Sequence, residues 1–289
     1  MLRAAIVYHG TEGGPWSWSW YPSVLVGLVL ISAVYLYLAN GYRRKVNYGP
    51  PVPLRRQALF LLGNLVVFFA LISPIDSLSD NYLFSAHMVQ HILLIGFAPV
   101  LWLLGVPDGL LNALVRPSWL RKFAFEITRP IPAFLIFNGI FLLWHIPRLY
   151  ILALEEEPIH ITMHLSFMAA AVIGWWPVYS RFEEAAPRAT PVMQLFYLFL
   201  MMFPSTALSA WITLSPAILY PFYGSQALQF GLTPRDDQQL SGLIMWIPGN
   251  ALFFIAFSIA FFQWFRRAQS ETLDDDPASD SETLLSLQE

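Results

Sequence analysis

Seven apolar stretches, each close to the length needed to cross a lipid bilayer, follow one another along the chain. They cover residues 20–39, 57–73, 83–104, 131–145, 159–179, 192–215 and 240–264. A hydrocarbon core is about 30 Å thick, and a helix crosses it in about 20 residues. Inside lipid a span must satisfy its own backbone N–H and C=O groups, which a helix does unaided. The fourth stretch is the shortest: Pro147 marks its end, and its start reaches back toward Arg129. Of the 289 residues, 56% are hydrophobic and 12% charged, against about 25% charged in soluble domains. So little charge cannot cover the surface in water. The expected fold is an all-α membrane protein, a bundle of about seven transmembrane helices spanning residues 1–268. Residues 269–289 are rich in Ser, Asp and Glu and lack the apolar content to fold alone. They are expected to form a disordered acidic tail on the cytoplasmic side. Residues 1–10 carry one Arg and a weak apolar run, so no cleavable signal is expected and the first stretch stays as a span.

The basic residues sort by side. Arg43, Arg44, Lys45, Arg55 and Arg56 follow the first stretch, and Arg116, Arg121, Lys122 and Arg129 follow the third. Arg181 and Arg188 follow the fifth, and Arg266 and Arg267 the seventh, leaving only Arg3, Arg148 and Arg235 for the opposite side. Short loops rich in Lys and Arg stay in the cytoplasm. The N-terminus is therefore expected outside and the C-terminus in the cytoplasm, as in a multi-pass protein of a bacterial plasma membrane. Trp16, Trp18, Trp20 and Tyr21 suit the outer aromatic belt.

Several classes of function are excluded or disfavoured. The chain has no cysteine, so disulfides, thiolate catalysis and iron–sulfur ligation are ruled out. It has no basic block, so nucleic acid is not an expected partner. It has no phosphate-binding glycine loop and no Gly-x-Ser-x-Gly element. The run His87-Met-Val-Gln-His91 lacks the glutamate that serves as general base in the His-Glu-x-x-His zinc proteases.

The histidines carry the chemical signal. On this topology His87 and His91 open the third stretch, His145 closes the fourth, and His160 and His164 open the fifth. With His9 in the N-terminal segment, all six lie at or near the outer face. His87/His91 and His160/His164 are i,i+4 pairs, so each pair projects from one face of its helix. Two imidazoles placed this way can hold one metal ion while other helices complete the site. Polar groups within membrane helices are costly and tend to mark function. Met88 and Met163 stand beside the pairs as candidate thioether ligands, with packing as the competing reading. Asp76 and Asp80 precede His87, and Asp236 and Asp237 enter the seventh stretch. Asp237 is a candidate ligand, a candidate orienter of an imidazole, or a cap of its own helix. Asn138 shares a face with His145. Pro99, Pro204 and Pro248 sit inside stretches and are expected to bend them.

Three segments in this order resemble the CtaG family of cytochrome c oxidase assembly factors. They are His87-Met-Val-Gln-His91 with the run to Pro99, Trp144-His-Ile-Pro147 with Leu149-Tyr150, and Asp237-Gln-Gln-Leu240 with Gly242-Leu-Ile-Met-Trp-Ile-Pro-Gly249. His160-x-x-Met-His164 leading to Trp175-Trp176-Pro177 also fits. The resemblance implies a non-enzymatic plasma-membrane protein that helps mature the haem-copper oxidase, with copper insertion as its supposed role. Its expected partners are oxidase subunits and the lipid bilayer, and a homo-oligomer is left open. The expected metal set is His87, His91, His145, His160, His164, Asp237, Met88 and Met163, with copper as the ion. The residues alone leave two alternatives standing: a haem-handling protein with bis-His ligation, and a zinc-dependent membrane hydrolase. A metal permease ranks last, because the inner halves of the stretches are poor in polar residues.

Overall fold

The computed structural model describes residues 14–47, 49–107, 110, 117–180 and 189–274. His9, Arg3, Arg116, Arg181 and Arg188 lie outside them. Ten helices of eight or more residues form among the described residues, with no strand: α1 (Pro22–Val46), α2 (Leu54–Ile72), α3 (Pro74–Asn81), α4 (Phe84–Gly105), α5 (Ser118–Thr128), α6 (Pro130–Trp144), α7 (Pro147–Glu155), α8 (Glu157–Tyr179), α9 (Pro191–Leu214) and α10. The last opens as Pro234–Ile244, passes through a π-helical turn at Met245–Gly249 and continues as Asn250–Asp274. Proline sits in the first turn of α1, α3, α6, α7, α8, α9 and α10. There its missing N–H costs no helical bond and its fixed φ favours the helix.

Six helices are long and apolar enough to cross a membrane: α1, α2, α4, α8, α9 and α10. The fourth expected span is different. α6 has 15 residues, and it meets α5 at a 72° bend. Arg129, just before Pro130, is extended at φ −63° and ψ 150°. The proline ring disfavours α geometry in the residue before it, so the helix cannot run straight through Arg129. By length and apolarity the described residues offer six candidate spans, or seven if the bent pair counts as one. The seventh expected span is longer than its apolar stretch, since 37 residues of α10 pass the same test. The expected start of the tail at residue 269 falls inside this helix, which runs to Asp274, because Arg266 to Asp274 continue without a breaker. The rest of the tail lies outside the described residues.

α2 packs along α4, α6 along α8, and α9 along α10, while α1 leans on α2 at the edge. Large side chains such as Leu62, Phe69, Phe199 and Phe262 remain exposed along the flanks, as suits a surface solvated by lipid. Gly242 lets α10 approach α9 closely: a Cβ there would lie 2.9 Å from the Ser209 carbonyl oxygen and the Thr213 nitrogen, and would also strike Thr213 Oγ1. Small residues at such crossings are a membrane-helix device.

The bundle is polarised from end to end. α4, α8 and α10 begin, and α6 finishes, at the end that holds the five described histidines. Asp76, Ser79, Asp80, Gln90 and Asp237 are buried there as well. Toward the other end the core is apolar and aromatic, built on Phe137, Trp175, Tyr197 and Phe253. Of the described cations, Arg43, Arg44, Lys45, Arg55, Arg56, Arg129, Arg266 and Arg267 stand at that far end, while Arg148 and Arg235 stand at the histidine end.

Candidate metal centre

α4 carries His87 and His91, and its start is secured from a distance. Leu83, at its N-cap, offers no side-chain acceptor. Asp237 of α10 supplies one instead: its carboxylate accepts the backbone N–H groups of Phe84 (2.8 Å) and Ser85 (3.1 Å) and the Ser85 hydroxyl (2.5 Å). The first N–H groups of any helix lack intrahelical partners, and a carboxylate satisfies them well. Asp237 therefore caps α4 rather than its own helix. α10 is capped by Thr233 and Asp236 in a reciprocal capping box.

The two histidine pairs face each other across α4 and α8. His87 Nε2 lies 2.7 Å from His91 Nε2, and His160 Nε2 lies 2.7 Å from His164 Nε2. The His87 ring is 6.1 Å from that of His160 and 6.0 Å from that of His164, while His91 and His164 are 5.9 Å apart. A neutral imidazole has a single N–H, so within each pair one Nε2 donates and the other accepts. That leaves the outer-edge nitrogens to find other partners. Nδ1 of His87, His91 and His164 is buried and has none.

A carboxylate completes the group, and it is Asp80. Its Oδ1 lies 3.7 Å from His160 Nε2. The ligating atoms of Asp80, His87 and His160 all fall within 4.8 Å of one another, the geometry of a possible metal site. Burial pushes the Asp80 carboxyl up to about 7, against the opposing hydrogen bond from Ser79. Burial and the Asp80 charge raise Asp76 as well, and Asp76 Oδ2 is buried with no partner.

A hydrogen-bonded layer stands behind these groups. The Ser79 hydroxyl lies 3.0 Å from both Asp80 Oδ1 and Gln90 Oε1. Gln90 donates to the Ala70 carbonyl (2.9 Å) and to Asp76 Oδ1 (3.1 Å). Tyr223 donates to the Ser79 carbonyl (2.8 Å) and therefore accepts from Tyr150 (2.7 Å), whose ring lies 5.0 Å from His87. Sequence reasoning named neither Gln90 nor these tyrosines as parts of the site. The i,i+4 spacing of Asp76 and Asp80, the same as in the histidine pairs, was the available signal for the acidic side.

His145 stands next in line, its ring 5.9 Å from His91. Its Nδ1 lies 2.7 Å from the Phe141 carbonyl, while Nε2 is buried without a partner. Met88 and Met163 are fully buried in a cluster with Phe84, Phe141, Trp144 and Phe167. Asn138 donates to Met201 Sδ (3.4 Å) and to the Phe134 carbonyl.

Two cavities touch this string of rings. One, of about 150 Å³, is lined by Tyr21, Asp76, Asp80, Glu157, His160 and His164, among others. The other, of about 40 Å³, is lined by Met88, His91, His145 and Met245, with Phe141 and Trp175 among its apolar walls.

The fold and the site together define a helical multi-span membrane protein that gathers imidazoles from three helices and a carboxylate at one end of its bundle. The family model of the cytochrome c oxidase caa3 assembly factor (Caa3_CtaG) matches residues 33–267, and the chain belongs to that family. It is 25% identical to Uncharacterized protein ML1998 of Mycobacterium leprae over 279 residues, 91% of this chain and 42% of that protein. It is also 25% identical to Uncharacterized protein MT0111 of Mycobacterium tuberculosis over 277 residues, 88% of this chain and 41% of that protein. The chain thus spans less than half the length of the curated relatives it matches. No solved structure matches it.

Proposed function

We propose that the chain serves assembly of a haem-copper oxidase by binding copper at the histidine end of its bundle and passing it to the oxidase within the membrane. In this reading His87, His91, His160 and His164 hold the ion with Asp80, and the protein performs no catalysis. The observation that carries it is the meeting of two imidazole pairs from separate helices beside a buried carboxylate. Two nitrogens bound to one ion at about 2.0–2.1 Å lie about 3 Å apart, close to the 2.7 Å within each pair. Nitrogen and oxygen donors hold Cu²⁺ more tightly than other first-row divalent ions, which favours copper over zinc. The charge asymmetry along the chain supports an extracytoplasmic histidine end and a cytoplasmic C-terminus, and the mycobacterial relatives fit a bacterial plasma membrane. The acidic cavity at His160 supports delivery of the ion from outside.

The test is metal analysis of the purified full chain after Cu²⁺ loading. The wild type should retain about one ion, and His91→Ala and His164→Ala should each lose it. Unchanged copper in both variants overturns the assignment. A Soret band in the wild type would replace it with the haem reading, and zinc bound in preference to copper, with hydrolysis of a lipid, would replace it with the hydrolase reading.

A further inference from the structure

We infer that the chain has a second, softer copper station beneath the first, formed by His145, Met88 and Met245 around the small apolar cavity. The inference rests on the copper reading above and extends it to a second site of different donor chemistry.

His145 is oriented with one ring nitrogen free to ligate. The Phe141 carbonyl can only accept, so His145 Nδ1 must carry the proton. In the neutral ring Nε2 then presents a bare lone pair, and it is buried with no partner. Metal-binding imidazoles are commonly oriented through such a second nitrogen. The Tyr220 hydroxyl donates to the His145 backbone carbonyl (2.7 Å), fixing the residue at the end of α6.

Two thioethers share its cavity. Met88 and Met245 line it together with His91 and His145. Both methionines are buried, at 0% and 5% exposure. The cavity of about 40 Å³ has room for one small occupant, since a single water needs about 10–15 Å³. The helices that carry these residues both depart from α geometry here. His91 immediately precedes the π-helical turn Ile92–Phe97, and Met245 begins the π-helical turn Met245–Gly249. Single π turns inside α-helices collect at functional sites. Ile92, Ile95, Gly96 and Gly249 from the two turns line the same cavity.

The donor set selects the ion. Thioether sulfur prefers Cu(I), while imidazole and carboxylate also serve Cu²⁺. His91 touches both places: its Nε2 faces His87 of the upper centre, and its ring borders the lower cavity. A Cu(I) ion released from the imidazole pairs therefore needs to cross only one ring to reach the sulfurs, with no change of oxidation state.

The experiment loads the full chain with Cu(I) under reducing conditions, counts ions, and reads sulfur ligation by X-ray absorption. The wild type should take two Cu(I) ions with a sulfur scatterer present. Met245→Leu, which conserves volume, should take one and lose the sulfur signal while still holding Cu²⁺. His145→Ala should likewise drop the Cu(I) count from two to one. A wild type that saturates at one Cu(I) without sulfur, or variants that keep two, overturns the second station. Loss of all Cu²⁺ binding in the wild type instead defeats the first reading, so the two failures are distinguishable.

Discussion

The two cavities beside the histidines share no lining residue. The larger one brings Asp76, Asp80 and Glu157 to His160 and His164. The smaller one brings Met88 and Met245 to His91 and His145, with aromatic and aliphatic walls. One string of imidazoles thus runs from a cavity with three carboxylates, Met168 and aliphatic side chains into one with two thioethers and no carboxylate. Imidazole is acceptable to both hard and soft states of copper, so the shared ligand type joins two regions that would otherwise bind different ions. Five histidines are chemically the same residue, and their neighbours give them different work.

The comparison can be broken most sharply by pH. An ion at the acidic side must displace the proton that burial keeps on Asp80 up to about pH 7. Below that value Cu²⁺ affinity should fall by about tenfold per pH unit, because each ion bound releases one proton. Above it the slope should flatten. Asp80→Asn should weaken binding and remove that part of the slope, whereas Cu(I) bound at the sulfur side should not follow it. A Cu²⁺ titration series from pH 8 to 6 measures this, and equal slopes for wild type and Asp80→Asn would contradict the placement of Asp80.

A smaller effect is expected at the cavity's rim. Glu157 is exposed there, and an acidic mouth raises local cation concentration and association rate. Glu157→Gln should slow Cu²⁺ uptake several-fold at low salt, with the ion count unchanged and the difference fading as salt screens it. Stopped-flow uptake at two ionic strengths distinguishes this from loss of a ligand, which would change the count. The smallest effect belongs to Met163. It packs among Phe84, Phe141, Trp144 and Phe167 and lines neither cavity. Met163→Leu should leave both copper counts unchanged and cost less than about 1.5 kcal/mol of stability in a denaturation titration, as volume-conserving swaps do.

Periodicity made much of this molecule legible. A membrane span declares itself through length and apolarity, and the i,i+4 spacing of His87/His91 and His160/His164 fixes a shared face before any packing is known. What the sequence hid was set partly by local backbone geometry and partly by groups remote along the chain. Pro130 bends the fourth expected span away from α5, although hydropathy runs on through the region. No spacing rule told that the Asp237 carboxylate receives the first N–H groups of α4, more than 150 residues earlier. Asp80 looked like one acid among several and turned out to be the carboxylate beside the imidazoles, because α3 packs against α4 and brings it to His87 and His160. The free nitrogen of His145 has a local cause: its Nδ1 bonds the carbonyl of Phe141, four residues earlier in the same helix.

The clasp between Asp237 and the first turn of α4 joins residues 153 and 152 positions apart. A ribosome would release α4 into the membrane long before residue 237 is made, and until then its opening N–H groups have no carboxylate to receive them. The histidine end can take its final shape only after the tenth helix has been inserted. Half-finished chains would then be poor at trapping metal, and loading would be tied to completion of synthesis.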